Sequence, residues 1–196
     1  MSLDIHDLAV GALKGVNLKL AAGEVICVSG ASGSGKSRLL RAIADLEPHS
    51  GRVMLDGENR ESLAAHVWRA RVMLVPAESQ WWADRVGEHF ARPMPEALSA
   101  LGFPDEAWGW AVSRLSSGEK QRLALLRALS RDPAALLLDE PTANLDDSNT
   151  RQVERWLLQR VADQGLAVIW VAHDAEQIRR VSKRHWRIDG AQLVSA

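Results

Sequence analysis

The chain has 196 residues, 46% of them hydrophobic and 25% charged, the balance of an ordinary folded protein rather than a disordered or fibrous one. That length suits one domain and excludes tandem modules of ordinary size. Lys and Arg number 24 against 25 Asp and Glu, a formal net charge of −1, so there is no general pull toward nucleic acid or anionic lipid and such a partner must be recognised locally.

From the amino end, residues 3–20 and 52–55 alternate apolar and polar positions around glycine turns, which predicts a small antiparallel sheet laid against the core. The largely apolar run Glu24 to Ser29 predicts a buried strand. Cys27, the only cysteine, lies inside it and reads as a small buried hydrophobe; it excludes an intrachain disulfide and suits a reducing compartment. After Ser37, Leu39, Leu40, Ile43 and Ala44 share one helical face, with Pro48 as the stop. A second core strand is predicted over Arg71–Val75. Residues from about 77 to 117 hold most of the aromatic side chains and several prolines without a strand pattern, which predicts a small helical lobe. After Ser117, Leu125, Leu126 and Leu129 mark a helix that ends by Pro133. Ala135–Asp139 then reads as a strand, Asp147 onward as a helix with Val153, Trp156, Leu157 and Val161 on one face up to Gly165, and Leu166–Ala172 as the last core strand. Strands alternating with helices predict a mostly parallel sheet covered on both faces. The longest apolar stretches, 134–138 and 166–172, fall far short of the roughly 20 residues that span a bilayer, and the opening Met1-Ser2-Leu3-Asp4 lacks the basic-then-apolar pattern of a signal peptide.

Three segments carry chemistry. Gly30-Ala31-Ser32-Gly33-Ser34-Gly35-Lys36-Ser37 fits G-x-x-x-x-G-K-[ST] between a predicted strand and a predicted helix, and runs into Arg38 in the helix's first turn. Glycines let the backbone N–H groups converge on phosphate oxygens, Lys36 would reach the β and γ phosphates, and the Ser37 hydroxyl would ligate Mg²⁺. A ligand-free glycine turn is the alternative, and the strand–loop–helix context speaks against it. Asp139 and Glu140 end an apolar strand at the carboxyl edge of the sheet, where open α/β folds bind ligands. Asp139 suits water-mediated hold on Mg²⁺ and Glu140 the activation of a water; two solvated turn acids before Pro141 is the other reading. Ser116, followed three residues later by Glu119, is a capping box that any helix uses, and a helix start of this kind is also an anion site.

Taken in order, the phosphate loop, the Ser116-Ser117-Gly118-Glu119 helix start, Asp139-Glu140, Asn144-Leu145-Asp146 and His173 after an apolar strand resemble the motif set of the ATP-binding cassette family, over about residues 3–193. The resemblance implies an α/β fold: a P-loop NTPase (RecA-like) core with an amino-terminal antiparallel β subdomain and a small helical subdomain at about 77–117, residues 1–196 forming a single ATPase domain without a carboxy-terminal regulatory domain. It implies ATP and Mg²⁺ as ligands and a head-to-tail dimer of two copies of the chain. Gly30 to Arg38 of one copy would hold the nucleotide, Ser116 and Gly118 of the other would contact its γ phosphate, Asp146 would lie at the seam, and His173 would contact the γ phosphate beside the attacking water. It also implies a separately encoded transmembrane permease subunit, a peripheral position on the cytoplasmic face of the cell membrane through that partner, and no nucleic acid.

The chain departs from the family's pattern in places. Asp7 to Lys14 holds no aromatic residue where the family stacks adenine. Ala77 stands where the family's glutamine follows a core strand, with Gln80 three residues late, Ser117 replaces the usual glycine and Glu119 the commoner glutamine. The wording of 118–122, 145–149 and 167–174 is most similar to small bacterial cassettes assigned to iron or other metal export. The rival is a soluble cassette acting on nucleic acid or as a mechanical clamp; by the resemblance, clamp-type members need long coiled-coil insertions and translation-associated members a second cassette, and the chain has neither. A degenerate module with little turnover is suggested by Ala77, Ser117 and the missing aromatic, but Lys36, Ser37, Asp139, Glu140 and His173 are intact and favour hydrolysis. By the resemblance, Trp81 and Trp82 border the groove that receives a cytoplasmic helix of the permease. Adjacent residues cannot both face one core, so at least one of the two is expected to stay partly exposed as an anchor, the alternative being a core role for the whole aromatic cluster.

Overall fold

The computed structural model describes residues 2–196. Its first half runs β1 (Leu3–Val10), β2 (Leu13–Leu20), β3 (Val25–Gly30), α1 (Lys36–Ile43), β4 (Ser50–Leu55), β5 (Glu58–Asn59), α2 (Ala65–Arg71) and β6 (Val72–Val75). The second half runs α3 (Pro95–Ala100), α4 (Ser117–Leu129), β7 (Ala135–Asp139), α5 (Asp147–Gln164), β8 (Ala167–Val171), α6 (Ala175–Val181), β9 (Arg184–Asp189) and β10 (Gln192–Ser195). An antiparallel sheet has the order β2-β1-β4-β5, and a six-stranded sheet has the order β10-β9-β3-β8-β7-β6. In the second sheet every neighbouring pair from β9 to β6 is parallel, and β10 closes the edge as an antiparallel hairpin with β9.

Period-two alternation splits the central strands between two cores. Cys27, Leu136, Leu138, Val168 and Trp170 point to one face and pack with α4, α5 and the segment around α3. Ile26, Val28, Leu137, Ile169 and Val171 point to the other and pack with α1 and the antiparallel sheet. Both faces of β3, β7 and β8 are thus dry, which is why their sequences are continuously apolar rather than alternating. Trp68 on α2 is fully buried and donates its indole N–H to the Ile43 carbonyl at 3.0 Å, docking α2 on the end of the phosphate-loop helix.

The structure amends several expectations. Helix α1 stops at Ile43, well before Pro48, because Asp45 takes a left-handed conformation (φ 60°). The lobe expected to be helical over 77–117 contains little α-helix beyond α3; short 3₁₀ turns at Val86–His89, Asp105–Gly109 and Val112–Arg114 make up the rest of its regular structure before α4. It is held by ring contacts, Phe90 against Trp108 with centroids 4.7 Å apart and Phe103 against Trp110 at 6.3 Å. The short helices α2 and α6 and the β9–β10 hairpin were not expected. Among the described residues no helix is long and apolar enough to cross a membrane.

Candidate active site

Strand β3 delivers Gly30 to the top of the parallel sheet, and α1 begins at Lys36, so residues 31–35 must reverse the chain in a tight loop. Gly33 (φ 76°) and Gly35 (φ 103°) occupy backbone conformations that side chains strain against, which fixes glycine there. The Lys36 ammonium donates to the carbonyls of Gly30 and Ala31, both at 3.0 Å, and is held across the loop. The Ser34 hydroxyl is buried and has no partner in the protein. A buried hydroxyl left so is costly, and a phosphate oxygen at the helix N-terminus would satisfy it.

At the neighbouring strand end, Asp139 closes β7 and is only 8% exposed. Glu140, the next residue, has φ 49°, a conformation rare for a non-glycine residue. Adjacent carboxylates are thereby sent different ways, Asp139 into the sheet end and Glu140 out over the loop. His173, just beyond β8, donates from Nε2 to Glu140 Oε1 at 2.7 Å. Lys36, Ser37, Arg38, Glu140 and His173 line one cavity of about 250 Å³, and a second of the same size lies behind Glu140 and His173. For a divalent cation the chain offers the Ser37 hydroxyl and the Asp139 carboxylate, and no cluster of three or more His, Cys, Asp or Glu exists among the described residues. Two hard oxygen donors fit Mg²⁺, which takes its remaining ligands from phosphates and water.

Behind the pair lies a buried brace that sequence reasoning missed. Gln177 of α6 donates from Nε2 to the Thr142 hydroxyl at 2.8 Å and to Glu154 Oε1 at 2.9 Å. Arg180 grips the Glu154 carboxylate at both oxygens, each contact 2.9 Å. The brace ties the chain two residues past Glu140 to α5 and to the helix that follows His173. Its hydrogen-bonded partners are 23 to 35 residues apart, so no local motif betrays it.

Ser116 caps α4: its hydroxyl accepts from the Glu119 N–H at 3.2 Å while Glu119 Oε2 accepts from the Ser116 N–H at 2.8 Å. The backbone bond from Ser116 lowers the Glu119 pKa, keeping it ionised. Gly118 is pressed against the chain before α5, where a Cβ would come within 3.0 Å of the Asn144 carbonyl and the Leu145 side chain. Asp146 caps α5 through the Asn149 N–H at 2.8 Å. Its pKa is lowered chiefly by that bond. Ser116, Gly118 and Asp146 therefore form one surface, and it lies outside the phosphate-loop cavity. Further along, Arg127 lies over both Trp81 and Trp82 and donates to the Gln80 carbonyl at 2.7 Å. Trp81 packs on the core, whereas Trp82 is 66% exposed.

A family profile described as ABC transporter, that is, ATP-binding cassette transporter, matches residues 13–143. The chain belongs to the ABC transporter family. It is 35% identical over 184 residues to "Probable iron export ATP-binding protein FetA" of Escherichia coli (strain K12), across 87% of this chain and 82% of that protein. It is 31% identical over 212 residues to "Methionine import ATP-binding protein MetN 1" of Listeria innocua, across 98% of this chain and 62% of that protein; the chain spans less than two thirds of the length of this relative. Its fold matches the chain described as "Structure of a bacterial Atm1-family ABC exporter with ATP bound", with TM-score 0.86 at 24% identity over 98% of this chain and 38% of that one. This ABC protein is an ATP-binding, ATP-hydrolysing subunit, the kind to which its relatives belong.

Proposed function

We propose that two copies of this chain bind ATP head to tail and hydrolyse it to drive transport through a separately encoded permease. Residues 1–196 act as one ATPase domain, with the segment at about 77–117 as the part that meets the permease. The observation that carries the reading is the Glu140–His173 pair, 2.7 Å apart over the same cavity as Lys36. A carboxylate aimed over a triphosphate, and oriented by a neighbouring imidazole, is placed to take a proton from an attacking water. The loop from Gly30 to Ser37 holds the phosphates, with Ala31 and Ser32 contributing N–H groups, Ser34 its hydroxyl and Lys36 its charge, and Arg38 in the first turn of α1 borders the same nucleotide site. Ser37 and Asp139 would hold Mg²⁺, which when bound neutralises charge on the phosphates.

Ser116, Gly118 and Asp146 lie together on a surface apart from the loop of their own chain, which favours their serving the nucleotide of a second copy. Trp82, exposed beside Arg127, suits contact with a permease helix, since tryptophan is enriched at interface hot spots. The chain then sits on the cytoplasmic face of the membrane through that partner, with no role for nucleic acid. Relatives of similar identity are named for iron export and for methionine import, so the ATPase chemistry is common to both and the cargo is set by the permease. The test is Glu140→Gln: ATP binding should persist while hydrolysis falls by roughly 10²–10⁴-fold, and size-exclusion chromatography with ATP and Mg²⁺ should show a dimer. Unchanged turnover would remove Glu140 from the mechanism.

A further inference from the structure

We propose that the guanidinium of Arg38 is the surface on which the base of the bound nucleotide stacks, an inference that rests on the phosphate-loop reading above. Arg38 lines the same cavity as Lys36, Glu140 and His173. Glu140 and His173 close that cavity at the ends of β7 and β8, whereas Arg38 reaches toward Gly11 in the turn between β1 and β2. A nucleotide with its γ phosphate toward Glu140 has its base at the Arg38 end.

The orientation of the group follows from three distances. A Cβ built on Gly11 would stand 2.3 Å from Nη1, 2.6 Å from Cζ and 3.1 Å from Nη2 of Arg38. With the spacings inside a planar guanidinium fixed, those values put the Cβ almost directly above Nη1, along the normal to the plane. Gly11 therefore backs one face of the group, and any side chain there would push it away. Nε is held edge-on by Glu47 Oε1 at 2.6 Å. With one face backed and one edge anchored, the side chain is still 52% exposed, and the opposite face is the part left open.

This is a poor phosphate clamp and a good platform. Its charge is already matched by Glu47, and the edge at Nε is occupied, so the plane rather than the free fork is on offer. Arginine planes stack on nucleobases as aromatic rings do. The turn segment from Asp7 to Lys14 supplies no aromatic ring, and the other flat side chain of the cavity, His173, is tied to Glu140 at the far end.

Isothermal titration calorimetry of ATP, GTP and inorganic tripolyphosphate, each with Mg²⁺, separates the roles in the wild-type chain and in Arg38→Ala and Arg38→Lys. Both variants should weaken ATP and GTP by about tenfold and to the same extent, since stacking is indifferent to base identity, while tripolyphosphate affinity holds. Arg38→Lys keeps the charge and loses the plane, so it should behave like Arg38→Ala. Equal loss for ATP and tripolyphosphate would make Arg38 a phosphate ligand and overturn the proposal, as would ATP binding that survives both substitutions. Failure of the wild-type chain to bind either ligand would instead overturn the phosphate-loop reading itself.

Discussion

The brace behind Glu140 makes a quantitative prediction. Glu154 has 4% of its side chain exposed, Arg180 has 31%, and the two share two hydrogen bonds of 2.9 Å. Breaking a buried ion pair from one side costs about 3–5 kcal/mol, and exposed pairs are worth about 1 kcal/mol or less. In Glu154→Ala the partly exposed Arg180 can turn to water, but the Gln177 amide loses an acceptor in the interior, so we expect a loss of about 2–3 kcal/mol. For a domain of this length that corresponds to a fall in Tm of roughly 5–10 °C. Arg180→Ala should cost more, because it strands the more deeply buried charge. Thermal and urea unfolding followed by circular dichroism, on both single variants and the double, gives the coupling directly. If the two losses simply add, or if Glu154→Ala unfolds within a degree or so of the wild type, the carboxylate is not held as described.

Other outcomes follow from single contacts. Lys36→Ala removes a charge from the phosphate loop and should weaken ATP binding by about tenfold or more, measured by calorimetry; undiminished affinity would place the phosphates elsewhere. Gly118→Ala puts a methyl 3.0 Å from the Asn144 carbonyl and should cost about 1–3 kcal/mol as an overpacked contact, read as a lowered midpoint in urea. Burial pushes the Cys27 thiol up to about 12. Maleimide at neutral to mildly alkaline pH should therefore label the chain only after unfolding, and rapid labelling of the native protein would contradict the packing of β3.

The parts of this architecture that were legible in the sequence are those whose determinants are contiguous. Strands β3, β7 and β8 are buried on both faces, so each writes an unbroken apolar run. The β9–β10 hairpin lies toward an edge and carries Arg184, Arg187 and Asp189 with only Ile188 fully buried, which leaves no such run. Helices α2 and α6 span seven residues each, too short for a helical period to stand out. The phosphate loop announces itself because spacing and backbone chemistry coincide within eight residues. The Glu154 brace and the seat of Arg38 on Gly11 join distant residues of common types, and nothing local distinguishes such residues from ordinary surface side chains.

The separation of the Ser116–Gly118–Asp146 surface from the phosphate loop bears on how fuel use scales with abundance. If each site needs both surfaces, a lone chain is silent, and in dilute solution the ATP consumed per chain rises in proportion to chain concentration. A permease carrying two seats would replace that bulk concentration with an effective one in the millimolar range, as linked binding partners do. Surplus copies would then burn little ATP, and expression of the ATPase could exceed that of such a permease without draining the cell.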